Sequence, residues 1–116
     1  MKSNSFLNKL EFGEDRVKIA VILESSFSKE IRITFKKGQL MKEHKTQFPI
    51  VVHLLEGSID FGVEGVKHKL SKGDILTLDG GVPHDLFAHE DSIVRLTLSK
   101  LDVAERVIGV AEASKK

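Results

Sequence analysis

Short apolar runs alternate with turn-forming residues along most of the chain, and the runs have the length of strands rather than helices. Lys18–Leu23 (KIAVIL) and Ile31–Phe35 (IRITF) are rich in β-branched residues, and the second alternates apolar with polar. Lys36-Lys37-Gly38 then interrupts. Phe48–Leu55 (FPIVVHLL) is almost continuously apolar, the expectation for a strand covered on both faces. Glu56-Gly57-Ser58 leads into Ile59–Val63, Glu64-Gly65 into Val66–Leu70 (VKHKL), and Ser71-Lys72-Gly73-Asp74 into Ile75–Leu78. After Asp79-Gly80-Gly81, Ile93–Leu98 (IVRLTL) supplies the last clear strand. Strands at such close, regular spacing predict an all-β fold, an antiparallel sandwich or barrel. The ends differ. Val103, Val107 and Val110 fall at helical spacing and predict a short helix over Asp102–Ala113, weakened by Gly109, while the stretch to Asp15 reads as a helical turn or an irregular arm.

No repeat or linker divides the 116 residues, so a single domain over 1–116 is expected. Eighteen basic against 17 acidic side chains leave a net charge of +1, which removes the electrostatic footprint of a nucleic-acid binder. The absence of cysteine excludes disulfides, thiolate metal sites and thiol nucleophiles, and the absence of tyrosine excludes phenol acid–base chemistry. The first residues (MKSNSFLNKLEF) lack the apolar core of a signal peptide, and no run approaches the roughly 20 apolar residues of a membrane span. A cytoplasmic protein is expected, with neither nucleic acid nor membrane as partner.

Candidate chemistry rests on five histidines. His44 ends a strand-like approach from Gly38. His84 follows a glycine-rich break and Pro83, whose fixed φ aims the next residue reproducibly. A strand-borne and a turn-borne imidazole can converge at the mouth of a barrel, where each is a candidate metal ligand; alternatively, each caps a strand end and bonds a carbonyl. His68 lies between two lysines and reads as part of a solvated face. His89, beside Glu90 and Asp91, reads as a loop ion pair.

From Gly38 to about Leu98 the sequence resembles a small single-domain cupin, of the RmlC-like superfamily. Gly38, His44 and Gly57 match the first cupin motif, G-x5-H-x-H-x3-4-E-x6-G, with Thr46 at the second His and Ile50 at the Glu. Gly73, Gly81 and His84 match the second, G-x5-P-x-G-x2-H-x3-N, with Asp79 for the Pro and Ala88 for the Asn. The phrases LLEGSIDFGVEG and LSKGDILTLDGGVPH add to the likeness. The resemblance implies a double-stranded β-helix, the jelly-roll barrel, with a motif core over about 38–98. It also implies a divalent transition metal (zinc, nickel, iron, manganese or copper) held in metal-binding members by four ligands, of which His44 and His84 carry over.

His53, interrupting the apolar run Val51–Leu55, is the candidate third metal ligand. Strict alternation sets it opposite Ile50, but a bulge at Pro49 could turn it inward. Thr46 and Ile50 are the expected pocket residues. Two functions follow, beside the plain alternative of a cupin shell with no retained chemistry. The first is a metal-binding small cupin, of dioxygenase or isomerase type as the family permits; a Tyr-dependent sugar epimerase and a Cys–Tyr crosslinked thiol dioxygenase lack their residues. The second is a metal-free module for a small organic ligand, resembling the ligand-binding domains of AraC-type regulators. A homodimer is expected in either case, with Lys18–Leu23 apolar enough to be shared or covered.

Overall fold

A computed structural model describes residues 1–100. Nine strands make up the regular structure of that stretch: β1 (Lys18–Glu24), β2 (Ser28–Phe35), β3 (Leu40–His44), β4 (Ile50–Glu56), β5 (Ser58–Val63), β6 (Val66–Ser71), β7 (Ile75–Leu78), β8 (His84–Ala88) and β9 (Ser92–Ser99). They form a five-stranded sheet, β1-β2-β9-β4-β7, and a four-stranded sheet, β3-β8-β5-β6, with all pairings antiparallel. The expected all-β double-stranded β-helix is the fold observed. The expected helix over Asp102–Ala113 lies outside the described residues.

Alternation decides which side chains meet between the sheets. The five-stranded sheet sends in Ile31, Ile33 and Phe35 from β2, Ile50, Val52 and Leu54 from β4, and Val94 from β9. The four-stranded sheet answers with Ile59 and Phe61 from β5, Leu70 from β6, and Leu86 and Ala88 from β8. Gly57 makes the β4–β5 turn at φ +102°, and a side chain there would collide with Ser92 at the start of the neighbouring strand β9.

The β4 run is not buried on both faces. Ile50, Val52 and Leu54 are buried, whereas Val51, His53 and Leu55 are half-buried on the outer side. That outer side is partly roofed by the N-terminal residues, which form an irregular arm rather than a helix. Arg32, itself buried, donates to the carbonyls of Phe6 (2.9 Å), Asn8 (2.8 Å) and Lys9 (3.2 Å). The Thr34 hydroxyl donates to Glu11 O at 2.7 Å, and the Arg95 guanidinium lies 5.9 Å from the Phe6 ring centroid. A charged arginine is tolerated on the sheet because carbonyls of the arm accept its protons.

Candidate functional site

Two of the short strands aim the site. β3 and β8 pair with His44 opposite His84 and Met41 opposite Leu86, so three residue steps on β3 span two on β8. The extra residue is a bulge. Without it, Met41 and His44 would face opposite sides; with it, both point between the sheets. His84 is the first residue of β8, not part of a turn, and the preceding loop is fixed by Gly81 N–H donating to Thr46 O at 2.7 Å. Gly80 packs so closely on the Gln47 backbone that a side chain there would clash. The loops after β3 and before β8 therefore lock together and bring the two imidazoles side by side.

The ring centroids of His44 and His84 lie 4.4 Å apart with their planes inclined at 59°. On the far side of His84, the Phe61 ring stacks at 5.4 Å and 15°. Each imidazole is oriented by its own chain. His44 Nδ1 lies 2.7 Å from Lys42 O, and His84 Nδ1 lies 3.0 Å from Val82 O. A carbonyl can only accept, so each Nδ1 is the protonated nitrogen, and in a neutral ring the lone pair is then on Nε2. Burial lowers the His84 pKa, and nearby His44 adds to the effect; the Val82 hydrogen bond and the Asp85 charge only partly oppose it. The His84 ring is thus biased towards its neutral form.

A cavity of about 20 Å3 lies beside the pair, room for an ion or one water molecule. Met41, His44, His84 and Leu86 line it from the four-stranded sheet, and Ile33, Ile50, Val52, Val94 and Leu96 from the other. A larger pocket, about 360 Å3, opens near the barrel rim between Lys29, the Thr46–Pro49 loop and Leu98–Lys100. Leu96 and Leu98 are two steps apart on β9, so the pocket and the cavity occupy successive levels of the same wall.

The structure thus brings together His44, His84 and Ile50 of the expected set, and it separates the others. His53 is the main correction. The β4 register against both β7 and β9 is unbroken from Ile50 to His53, and the irregularity comes only after Leu54. No bulge at Pro49 turns the chain, so His53 faces outward, across from Arg95, and its buried Nδ1 has no hydrogen-bond partner. Thr46 lines the rim pocket instead of the cavity, its hydroxyl donating to Phe48 O at 2.9 Å.

The other two histidines are as expected, one exposed and one bonded to a carboxylate, and the fold adds a facing to the first and a partner to the second. His68 is exposed, yet it pairs with Phe61 across β5–β6 and so belongs to the inward-facing set, lining a pocket between the edge strands β6 and β7. His89 bonds Asp60 of β5 at 2.7 Å rather than its sequence neighbours. Met41 and Phe61 passed unnoticed in the sequence. Their signal is positional, since one lies across a bulge from His44 and the other a strand away from His84.

A barrel of two antiparallel sheets with histidines from β3 and β8 meeting inside it defines a class, the double-stranded β-helix proteins. Comparison with known proteins places the chain within it. The Cupin domain family matches residues 31–103, and the chain belongs to that family. An RmlC-like cupin from Desulfovibrio desulfuricans is similar at 27% identity over 85% of this chain and 96% of its own, with a TM-score of 0.77. An RmlC-like cupin from Shewanella frigidimarina matches at 23% identity over 85% and 91%, with a TM-score of 0.72. TT1209 from Thermus thermophilus shares the fold at 16% identity over 85% and 97%, with a TM-score of 0.78. Among curated proteins no relative matches the chain. No helix among the described residues is long and apolar enough to cross a membrane.

The four-ligand set of metal-binding cupins does not fit this site. Ile50 offers hydrocarbon where the motif has a carboxylate, and Thr46 turns away to bond Phe48. Among the described residues, no group of three or more His, Cys, Asp or Glu could hold an ion. Two imidazoles of suitable tautomer remain, each with its second nitrogen on a carbonyl, as metal-bound histidines usually have.

Proposed function

We propose that this chain is a metal-binding small cupin whose centre is the His44–His84 pair. The carrying observation is that both Nδ1 atoms are committed to carbonyls, which leaves Nε2 of each ring free to act as a donor atom, and that both rings line the same cavity. The size of the cavity supports an ion over an organic ligand at this level, since about 20 Å3 admits no molecule of several heavy atoms. A transition-metal ion held by His44 and His84 would supply Lewis acidity there. The protein's own part is to orient both rings and to exclude water with the aliphatic wall. Metal analysis of protein purified without a histidine tag tests the reading. Metal that copurifies, and is lost in both His44→Ala and His84→Ala, supports it; metal-free protein that takes up no added ion contradicts it.

The rim pocket favours a second role for the same domain, binding a small organic molecule. Its volume of about 360 Å3 is in the range of ligand sites, and Phe48, Pro49 and Leu98 give it an apolar lining beside the Lys29 ammonium. Thermal stabilisation by small acids or sugars, lost on filling the pocket with Leu98→Trp, is the expected result. Edge strand β1 supports a homodimer, because Ile19 and Val21 are more than half exposed on it. Light scattering at micromolar concentration should give twice the monomer mass, and Val21→Lys should give the monomer.

A further inference from the structure

The mismatch between this cavity and the four-ligand set points to a different kind of ion. We propose that Met41, His44 and His84 together form a three-ligand site for a soft monovalent cation, cuprous copper. This inference rests on the metal reading above and names the ion that reading leaves open.

Three observations carry it. The β3 bulge turns Met41 to the same side as His44, so a thioether joins the two imidazoles on one cavity of about 20 Å3. The donors are thus two nitrogens and a soft sulfur, the ligand types that favour Cu(I) among first-row ions. The rest of the lining is aliphatic, with Ile50 in the place of a carboxylate, so no anionic side chain lines the cavity, and the Asp85 charge acts on His84 only from outside it. Born desolvation rises with the square of the charge, so moving a dication into such a wall costs about four times as much as a monocation. Hard divalent ions prefer oxygen donors and keep their waters, and this cavity offers neither. Neutral ligands, a dry wall and little space all favour the same kind of ion.

The chain has two methionines, which makes the test direct: Met1 is fully exposed and serves as the control for Met41. Full-length protein labelled at the methionine methyl carbons is titrated with Ag(I), a redox-inert stand-in, and separately with Zn(II). Cu(I) affinity is measured anaerobically against bicinchoninate. The expected result is a shift of the Met41 methyl signal with Ag(I) and none with Zn(II), and Cu(I) bound at least about a hundredfold more tightly than Zn(II). Met41→Leu nearly preserves volume, so the fold is retained; it should weaken Cu(I) by about tenfold or more and leave Zn(II) within about twofold. Equal affinity for both ions, a shift confined to Met1, or an unchanged Cu(I) affinity in Met41→Leu would overturn the proposal while leaving a histidine-held metal in place. Failure of every ion to bind, or binding indifferent to His44→Ala and His84→Ala, would overturn both.

Discussion

The two walls of the barrel divide the work unequally. The four-stranded sheet supplies every polar or polarisable group at the cavity, His44 and Met41 from β3 and His84 from β8, together with the Phe61 ring that backs His84. The five-stranded sheet supplies only Ile33, Ile50, Val52, Val94 and Leu96. One wall holds donors in place and the other keeps water away from them. Their outer faces differ as well. The five-stranded sheet is pinned under the N-terminal arm through Arg32, while the four-stranded sheet presents exposed Lys67 and Lys69 and the Asp60–His89 pair. A site built on one sheet depends on that sheet's register, and its affinity depends on how dry the facing sheet stays.

Removing the support on the donor wall should have the largest effect. Phe61→Ala takes away a buried ring in van der Waals range of His84 and should cost about 3–5 kcal/mol in denaturant unfolding. Changing the dry wall comes next. Ile50→Glu buries a carboxylate in hydrocarbon and should destabilise the metal-free protein by about 3 kcal/mol. If the walls divide as described, added Zn(II) restores a good part of that loss in Ile50→Glu and stabilises the parent chain much less; equal zinc stabilisation of both would show that the parent wall is not the barrier to a dication. Detaching the arm should matter less. Arg32→Leu removes three carbonyl-bound donors from the outer face and should cost about 2 kcal/mol, with His44 and His84 chemical shifts unchanged.

Acidification gives a smaller effect whose sign is fixed. His84 has a lowered pKa in the folded chain, chiefly through burial, so the unfolded chain binds its proton more readily. Its stabilising contribution is complete above the unfolded value of about 6.5 and is lost as pH falls toward the folded value. The Tm should therefore drop between pH 7 and pH 5, and His84→Leu should flatten that slope. An unchanged slope would mean that the ring is not desolvated. The smallest effect is at the rim, where Thr46→Val removes one hydroxyl bond to Phe48 O and should cost about 1 kcal/mol.

Much of the fold was legible because alternation and turn residues are local signals. Ile31–Phe35, Ile59–Val63 and Ile75–Leu78 appear within the strands expected of them, and the glycines mark real turns, as Gly57 does. The cupin motifs pointed to the barrel and to its two matched histidines. What stayed hidden depends on pairing between distant strands. His84–Ala88 (HDLFA) lacks the apolar–polar alternation that announces a strand, and its register against β3 sets the His44–His84 contact. The bulge that Pro49 could introduce is absent, and one occurs instead between Met41 and His44, where no proline or glycine signals it. That one displaced residue takes His53 out of the site and brings Met41 in.

The central claim is that His44 and His84 both keep their proton on Nδ1 and offer Nε2 to the cavity. Long-range 1H–15N correlation spectra of the imidazole nitrogens at pH 7.5 test it most directly. The account predicts Nδ1–H tautomers for both rings, with both Nε2 resonances moving when Ag(I) or Cu(I) is added. An Nε2–H tautomer at either ring, or Nε2 resonances indifferent to every added ion, would contradict it.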